Sequence, residues 1–173
     1  TDVTENGSVD LSYDGSIIAL SHGLHDSGKG RARIFELNGT NYIQMGSDIL
    51  GDENNAFLGS GYNGISLTKD GKRIVVGLRT HENSVNGKVR VYDWDGFAWT
   101  QVGGDITDPV GTRDMFGSSV SISSDGQTIV AGAPASSFSS GPGRVHIFTY
   151  KLISGTASWT YKASIAGSNT QDY

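Results

Sequence analysis

Residues 119–132 read Ser119-Val120-Ser121-Ile122-Ser123-Ser124-Asp125-Gly126-Gln127-Thr128-Ile129-Val130-Ala131-Gly132. Val120 and Ile122 alternate with serines, the period-two pattern of a strand with one apolar face. Asp125-Gly126 is a tight-turn pair, because such a turn needs a residue at ease with positive φ. Ile129-Val130-Ala131 is an unbroken apolar run, as in a strand buried on both faces. The same string stands twice more upstream. Val9, Leu11, Asp14-Gly15 and Ile17-Ile18-Ala19-Leu20 form one copy; Ile65, Leu67, Asp70-Gly71 and Ile74-Val75-Val76-Gly77 form the other. The Asp-Gly pairs begin at 14, 70 and 125, so the period is about 55 residues.

Each copy has a matching second half. Arg31-Ala32-Arg33-Ile34-Phe35 parallels Lys88-Val89-Arg90-Val91-Tyr92 and Arg144-Val145-His146-Ile147-Phe148. A turn follows in each, at Asn38-Gly39, Asp95-Gly96 and Ser154-Gly155, then an aromatic-led strand from Tyr42, Trp99 and Trp159. Asp48-Ile49, Asp105-Ile106 and Ser164-Ile165 close the units. Arg33, Arg90 and His146 sit between apolar neighbours and read as strand residues on a polar face. Four strand signals per unit, with no 3.6-residue periodicity, predict an all-β chain of three four-stranded antiparallel repeats, the signature of β-propeller blades. The expected boundaries are roughly 4–55, 56–114 and 115–173, all in one domain.

Composition agrees with many short strands and turns. The chain has 173 residues, the size of one ordinary domain, with 25 Gly and only 3 Pro. Its acids are 14 Asp against 4 Glu, a bias toward a turn former over a helix former. A net charge of −5 disfavours nucleic-acid or anionic-membrane partners, which call for a basic patch. No apolar run is long enough to span a bilayer as a helix, so no membrane insertion is expected. Cys is absent, so disulfides and thiolate metal sites are excluded. The chain starts at Thr1 rather than Met and reads as a processed form or a piece of a longer protein.

The sequence resembles the FG-GAP repeats of integrin-α-type β-propellers. Phe116-Gly117 opens the third unit and Gly132-Ala133-Pro134 ends its second strand. The corresponding pairs read as Asn6-Gly7 and Leu20-Ser21 in the first unit, and as Gly61-Tyr62 and Gly77-Leu78 in the second. Kelch, WD-type and bacterial surface propellers share the four-strand unit and remain alternatives. Integrin-type blades often carry a calcium loop between strands one and two. Here that turn holds one carboxylate, too few for the six or more oxygens calcium takes, so the Asp-Gly acids read as turn formers. No cofactor is expected; calcium is the one metal kept in view, through Asp52-Glu53-Asn54-Asn55 and Asp105, Asp108 and Asp114, whose plainer reading is turn-forming acids.

Loop length points to function. The one-to-two and three-to-four turns are short, whereas the two-to-three and four-to-one connections are long and leave on one face. The resemblance implies that ligands meet that long-loop face. Candidate contacts are His22, His25, Asp26, Arg79, His81, Glu82, Trp94 and Arg113. Asn6 and Asn38 begin glycosylation triplets. Trp99 and Trp159 recur and read as packing between adjacent blades, while Trp94 breaks the repeat and reads as an exposed contact. No nucleophile elbow, zinc-protease motif or phosphate loop occurs. The expectation is a non-enzymatic extracellular or cell-surface module for adhesion, recognition or assembly. The alternatives are a glycan-binding propeller lectin and a propeller enzyme with a central active site. Three blades fall short of the four to eight that close a ring, so further blades or self-association are expected, beside a protein or glycan partner.

Overall fold

A computed structural model describes residues 7–79, 87–111, 115–134 and 142–168. It is all-β, built of three antiparallel sheets in chain order. The first runs β1 (Val9–Leu11), β2 (Ile17–His22), β3 (Arg31–Asn38) and β4 (Asn41–Gln44), with the short β5 (Ile49–Leu50) also on β3. The second repeats this with β6 (Ile65–Leu67), β7 (Arg73–Leu78), β8 (Lys88–Trp94), β9 (Trp99–Gln101) and β10 (Ile106–Thr107). The third is β11 (Ser119–Ile122), β12 (Thr128–Ala133), β13 (Arg144–Ile153) and β14 (Thr156–Ala166). The chain also makes one helical turn at His25–Gly28, broken by left-handed Asp26 (φ 47°) and Ser27 (φ 57°).

The outer strand explains why two sheets have five strands and one has four. Gly46 (φ 68°) and Gly103 (φ 75°) break it into β4/β5 and β9/β10. The third unit has no glycine there, so β14 runs through, and the register shift falls opposite, between Ile147 and Phe148.

The core consists of two slabs. Between the first and second sheets, Ile17, Ala19, Ala32 and Ile34 meet Ile65, Ile74, Val76 and Leu78. Between the second and third, Val75, Val89, Val91 and Ile106 meet Val120, Ile129, Ala131 and Phe148. The middle sheet is therefore covered on both faces, and Ile74 through Leu78 are all buried. The matching strand of the first sheet alternates between buried and half-buried, since one face has no neighbour.

The Asp-Gly turns are built alike. The Asp14 carboxylate accepts hydrogen bonds from Ser12 Oγ (2.8 Å) and the Ser16 amide (3.0 Å). Asp70 takes them from Thr68 Oγ1 (2.7 Å) and Lys72 N (3.0 Å), and Asp125 from Ser123 Oγ (2.5 Å) and Gln127 N (3.0 Å). Only the glycines take positive φ: Gly15 72°, Gly71 66° and Gly126 69°. The Asp side chain, not its backbone, makes the turn. These bonds hold Asp14 down at a pKa of about 2, with the Ser16 amide the largest cause.

Candidate functional site

Among the described residues, the short turns lie on one rim of the sheets and the long connections on the other. On the long-loop rim, consecutive units are tied together. Phe57 N donates to Gly28 O (2.7 Å) and Leu58 N to Lys29 O (3.1 Å), joining the first sheet's two-to-three loop to the connection leading into the second sheet. Phe57-Leu58-Gly59-Ser60 and Met115-Phe116-Gly117-Ser118 form the same knot. Phe57 (φ 47°) matches Met115 (φ 52°), and Gly59 (71°) matches Gly117 (85°). Ser60 N donates to Phe57 O (2.9 Å) as Ser118 N does to Met115 O (3.1 Å), and Gly59 and Gly117 each donate to a β-strand glycine, Gly77 and Gly132. The Phe-Gly position of the second unit is thus Leu58-Gly59, a correction to the reading of Gly61-Tyr62. Gly59 is separated from Ile65 by more residues than Gly117 is from Val120, so the strand spacing alone points to the wrong pair.

A second correction concerns Arg33, Arg90 and His146. Arg90 and His146 are not on a polar face but at the joints between sheets, whereas Arg33 lies on the outer face of the first sheet. Arg90 is 8% exposed and donates to Asp105 (2.6 and 2.9 Å), just before its own sheet's closing strand, and to Asp52 (2.7 Å) before the second sheet. Lys88 adds contacts to Asp52 (3.5 Å) and Asp105 (3.4 Å). Arg33 pairs with Asp48 (3.0 Å) at the matching place in the first sheet. In the third, fully buried His146 lies 3.6 Å from Asp108. Of the acids kept in view for calcium, Asp52, Glu53 and Asp105 are thus engaged by Arg90 or Lys88, and Asp114 lies outside the described residues; among the described residues no three His, Asp or Glu converge on a metal-sized site.

Hydrogen bonds from Arg90 hold Asp105 and Asp52 below the usual carboxylate range. Burial works against ionising Asp48, but Arg33 and Gln44 outweigh it and hold this group low as well. A depressed carboxylate contributes stability above its unfolded value of 3.8, lost as pH falls through its folded value. The melting temperature is therefore expected to hold level from neutrality to about pH 4 and to fall below that. Thermal scans across pH test it, and Asp105→Asn should flatten the acid limb; a wild-type profile level down to pH 2 would contradict it.

The candidate contacts do not form one cluster. His22 and His25 lie together, ring centroids 6.3 Å apart, with Asp26 beside them bound to Lys29 (2.7 Å). His22 is half-buried on the outer face of the first sheet, its Nδ1 buried without a partner. Arg79 stands on the same rim, its Nε also unpartnered. Trp94 is on the opposite rim and is half-buried, against the expectation of an exposed contact: it packs on Trp99 (5.4 Å) and over Gly46. Trp99 and Trp159 do sit at the joints, each indole donating to the preceding outer strand, at Met45 O (2.9 Å) and Val102 O (3.1 Å). Asn38 is exposed at a two-residue hairpin turn. His81, Glu82, Arg113 and Asn6 lie outside the described residues.

A cleft of about 340 Å³ opens on the short-turn rim between the second and third sheets, lined by Asp70, Arg73, Asp93, Trp94 and Asp125 among others. Its charges are matched internally: Arg73 binds Asp93 (2.5 and 2.7 Å) and Gly126 O (2.7 Å). Its guanidinium lies 4.9 Å from the Tyr150 ring. Among the described residues no helix is long and apolar enough to cross a membrane.

Residues 99–148 match the FG-GAP repeat family. No curated protein matches the sequence. Among solved structures, the chain is similar to a putative 6-phosphogluconolactonase from Bacteroides fragilis, at 19% identity and TM-score 0.60, over 91% of this chain and 38% of that one. It is similar to a hypothetical selenium-binding protein from Sulfolobus tokodaii, at 14% identity and TM-score 0.62, over 95% of this chain and 42% of that one. The β-propeller domain of the Trilobed protease from Pyrococcus furiosus aligns at 13% identity and TM-score 0.49, over 94% and 43%. The chain thus spans about two fifths of these relatives' length. Residues 99–148 carry an FG-GAP repeat, and the structures that the chain resembles are β-propeller proteins.

Proposed function

We propose that each sheet is one propeller blade of about 55 residues and that the chain is a non-enzymatic interaction module of an extracellular or cell-surface protein, binding a partner through the long-loop rim. One observation carries the reading: the long connections share one rim and are stitched to one another by backbone hydrogen bonds, as at Gly28–Phe57 and Lys29–Leu58. Loops fixed in this way present a shaped surface at little ordering cost. Leu24 and Tyr62 stand exposed on this rim, the kind of apolar and aromatic side chains that anchor protein contacts. A glycan platform built on Trp94 loses its support, because that indole is packed on Trp99.

The test is a binding screen of the purified chain against extracellular-matrix proteins and a glycan array, beside lactone and peptide hydrolysis assays. Leu24→Asp and Tyr62→Asp are expected to weaken matrix-protein binding by tenfold or more, while Lys69→Glu on the opposite rim leaves it unchanged. Hydrolysis of either substrate, glycan binding alone, or binding insensitive to the rim changes would overturn the reading.

A further inference from the structure

The chain has four Asn-Gly pairs, of which Asn38-Gly39 and Asn63-Gly64 lie wholly among the described residues. In such a pair the asparagine side chain is open to attack by its own backbone, because glycine has no Cβ to shield the amide that follows. The two pairs meet opposite surroundings. At Asn63-Gly64 both reacting groups are engaged: Asn63 Nδ2 donates to Val120 O (2.9 Å), and the Gly64 amide donates to Ser8 Oγ (2.8 Å). Gly64 is also buried.

At Asn38-Gly39 neither group is held. Asn38, Gly39 and Thr40 are all exposed. Asn38 and Asn41 form the last pair of the β3–β4 ladder, so the Gly39 amide stands beyond it. Nothing lies within 4 Å of the place a Cβ would take on Gly39. Among the described residues the Asn38 carboxamide has no hydrogen-bond partner. This exposure does not depend on what adjoins the first sheet. The second sheet, with a neighbour on either side, carries Asp95-Gly96-Phe97-Ala98 at the same turn, and there too all four residues are exposed.

We infer that Asn38 is a site of spontaneous modification, at which the chain converts its own asparagine to aspartate with water as the only co-reactant. The Gly39 nitrogen bonds to Asn38 Cγ, the Cγ–Nδ2 bond breaks, and the Gly39 amide proton leaves with that nitrogen as ammonia. Water then opens the cyclic imide. Opening at the side-chain carbonyl gives aspartate in a normal backbone. Opening at the main-chain carbonyl gives aspartate linked through its β-carboxyl, with one extra carbon in the backbone. The first product enters a turn already suited to it: in the second sheet Asp95 Oδ1 accepts the amides of Phe97 (2.8 Å) and Ala98 (2.8 Å). The second product lengthens the chain at the last ladder pair and loosens the hairpin tip. Either adds a negative charge and removes the nitrogen on which the Asn38-Gly39-Thr40 triplet would carry a glycan.

The experiment is peptide mapping by mass spectrometry on the full chain after incubation in mildly alkaline buffer, folded and in denaturant. The denatured chain supplies the intrinsic rate of each pair. Relative to those rates, Asn38 in the folded chain should convert roughly tenfold or more faster than Asn63, because the folded structure protects only the second pair. The β-linked form is identified by labelling with an isoaspartyl methyltransferase. Asn38→Gln, whose longer side chain must close a larger ring, should abolish conversion at that position while circular dichroism shows the fold unchanged. An Asn38 that persists in the folded chain, or an Asn63 that keeps pace with it there, would overturn the inference.

Discussion

Replacing Gly77 by alanine is expected to lower stability by about 3 kcal/mol or more, the upper end of overpacking costs, and the melting temperature by roughly 6–12 °C. The added Cβ would stand 1.9 Å from the carbonyl oxygen of Gly117. That oxygen is backbone and cannot swing aside as a side chain would. Gly117 is also tied to the third sheet through its amide, which donates to Gly132 O (2.9 Å). Making room for one methyl group therefore means prising the third sheet from the second. Gly104→Ala is the control: nothing lies within 4 Å of its added carbon, so its effect should stay within about 0.5 kcal/mol. Equal melting temperatures for the two variants would refute the close approach.

Phe116→Ala should cost about 3–5 kcal/mol, the usual range for emptying a buried aromatic site. Phe116 is 1% exposed and sets its ring edge-on to His146 (5.7 Å) and Phe148 (6.0 Å) at the joint between the second and third sheets. Phe116→Leu should lose only roughly 1–2 kcal/mol, because Leu58 fills the same place in the first joint and leaves less cavity. Denaturant unfolding measures both. A loss below about 1 kcal/mol for the alanine variant would show that the ring does not fasten the joint.

Much of the architecture was legible because strands write themselves in period two. Val120 and Ile122, the Asp-Gly turns and the apolar second strands all fell where the pattern placed them. What escaped was contact between units. Arg90 reads as one polar residue in a strand, and nothing local says that Asp52 and Asp105 close on it from two directions. A signal was nonetheless present: Arg33 and Asp48, like Arg90 and Asp105, recur as opposite charges 15 residues apart. Leu58-Gly59 escaped for a different reason. Gly59-Ser60 repeats Gly117-Ser118 in letters, but Gly59 stands farther from Ile65 than Gly117 does from Val120, and the φ angles and hydrogen bonds are what establish the equivalence. Trp94 misleads because breaking a repeat reads as a sign of exposure, whereas its ring packs on Trp99 and over Gly46, just as Tyr150 packs on Trp159 in the third sheet.

The indole bonds across the joints give the molecule built-in optical reporters. Trp159 touches the carbonyl of Val102, so its emission should follow separation of the third sheet from the second. Trp99, bound to Met45 O with Trp94 against it, watches the first pair of sheets. Single replacement of Trp159 by phenylalanine would leave fluorescence that sees only the first pair, and comparing it with the parent chain during unfolding would reveal whether the array comes apart all at once or sheet by sheet.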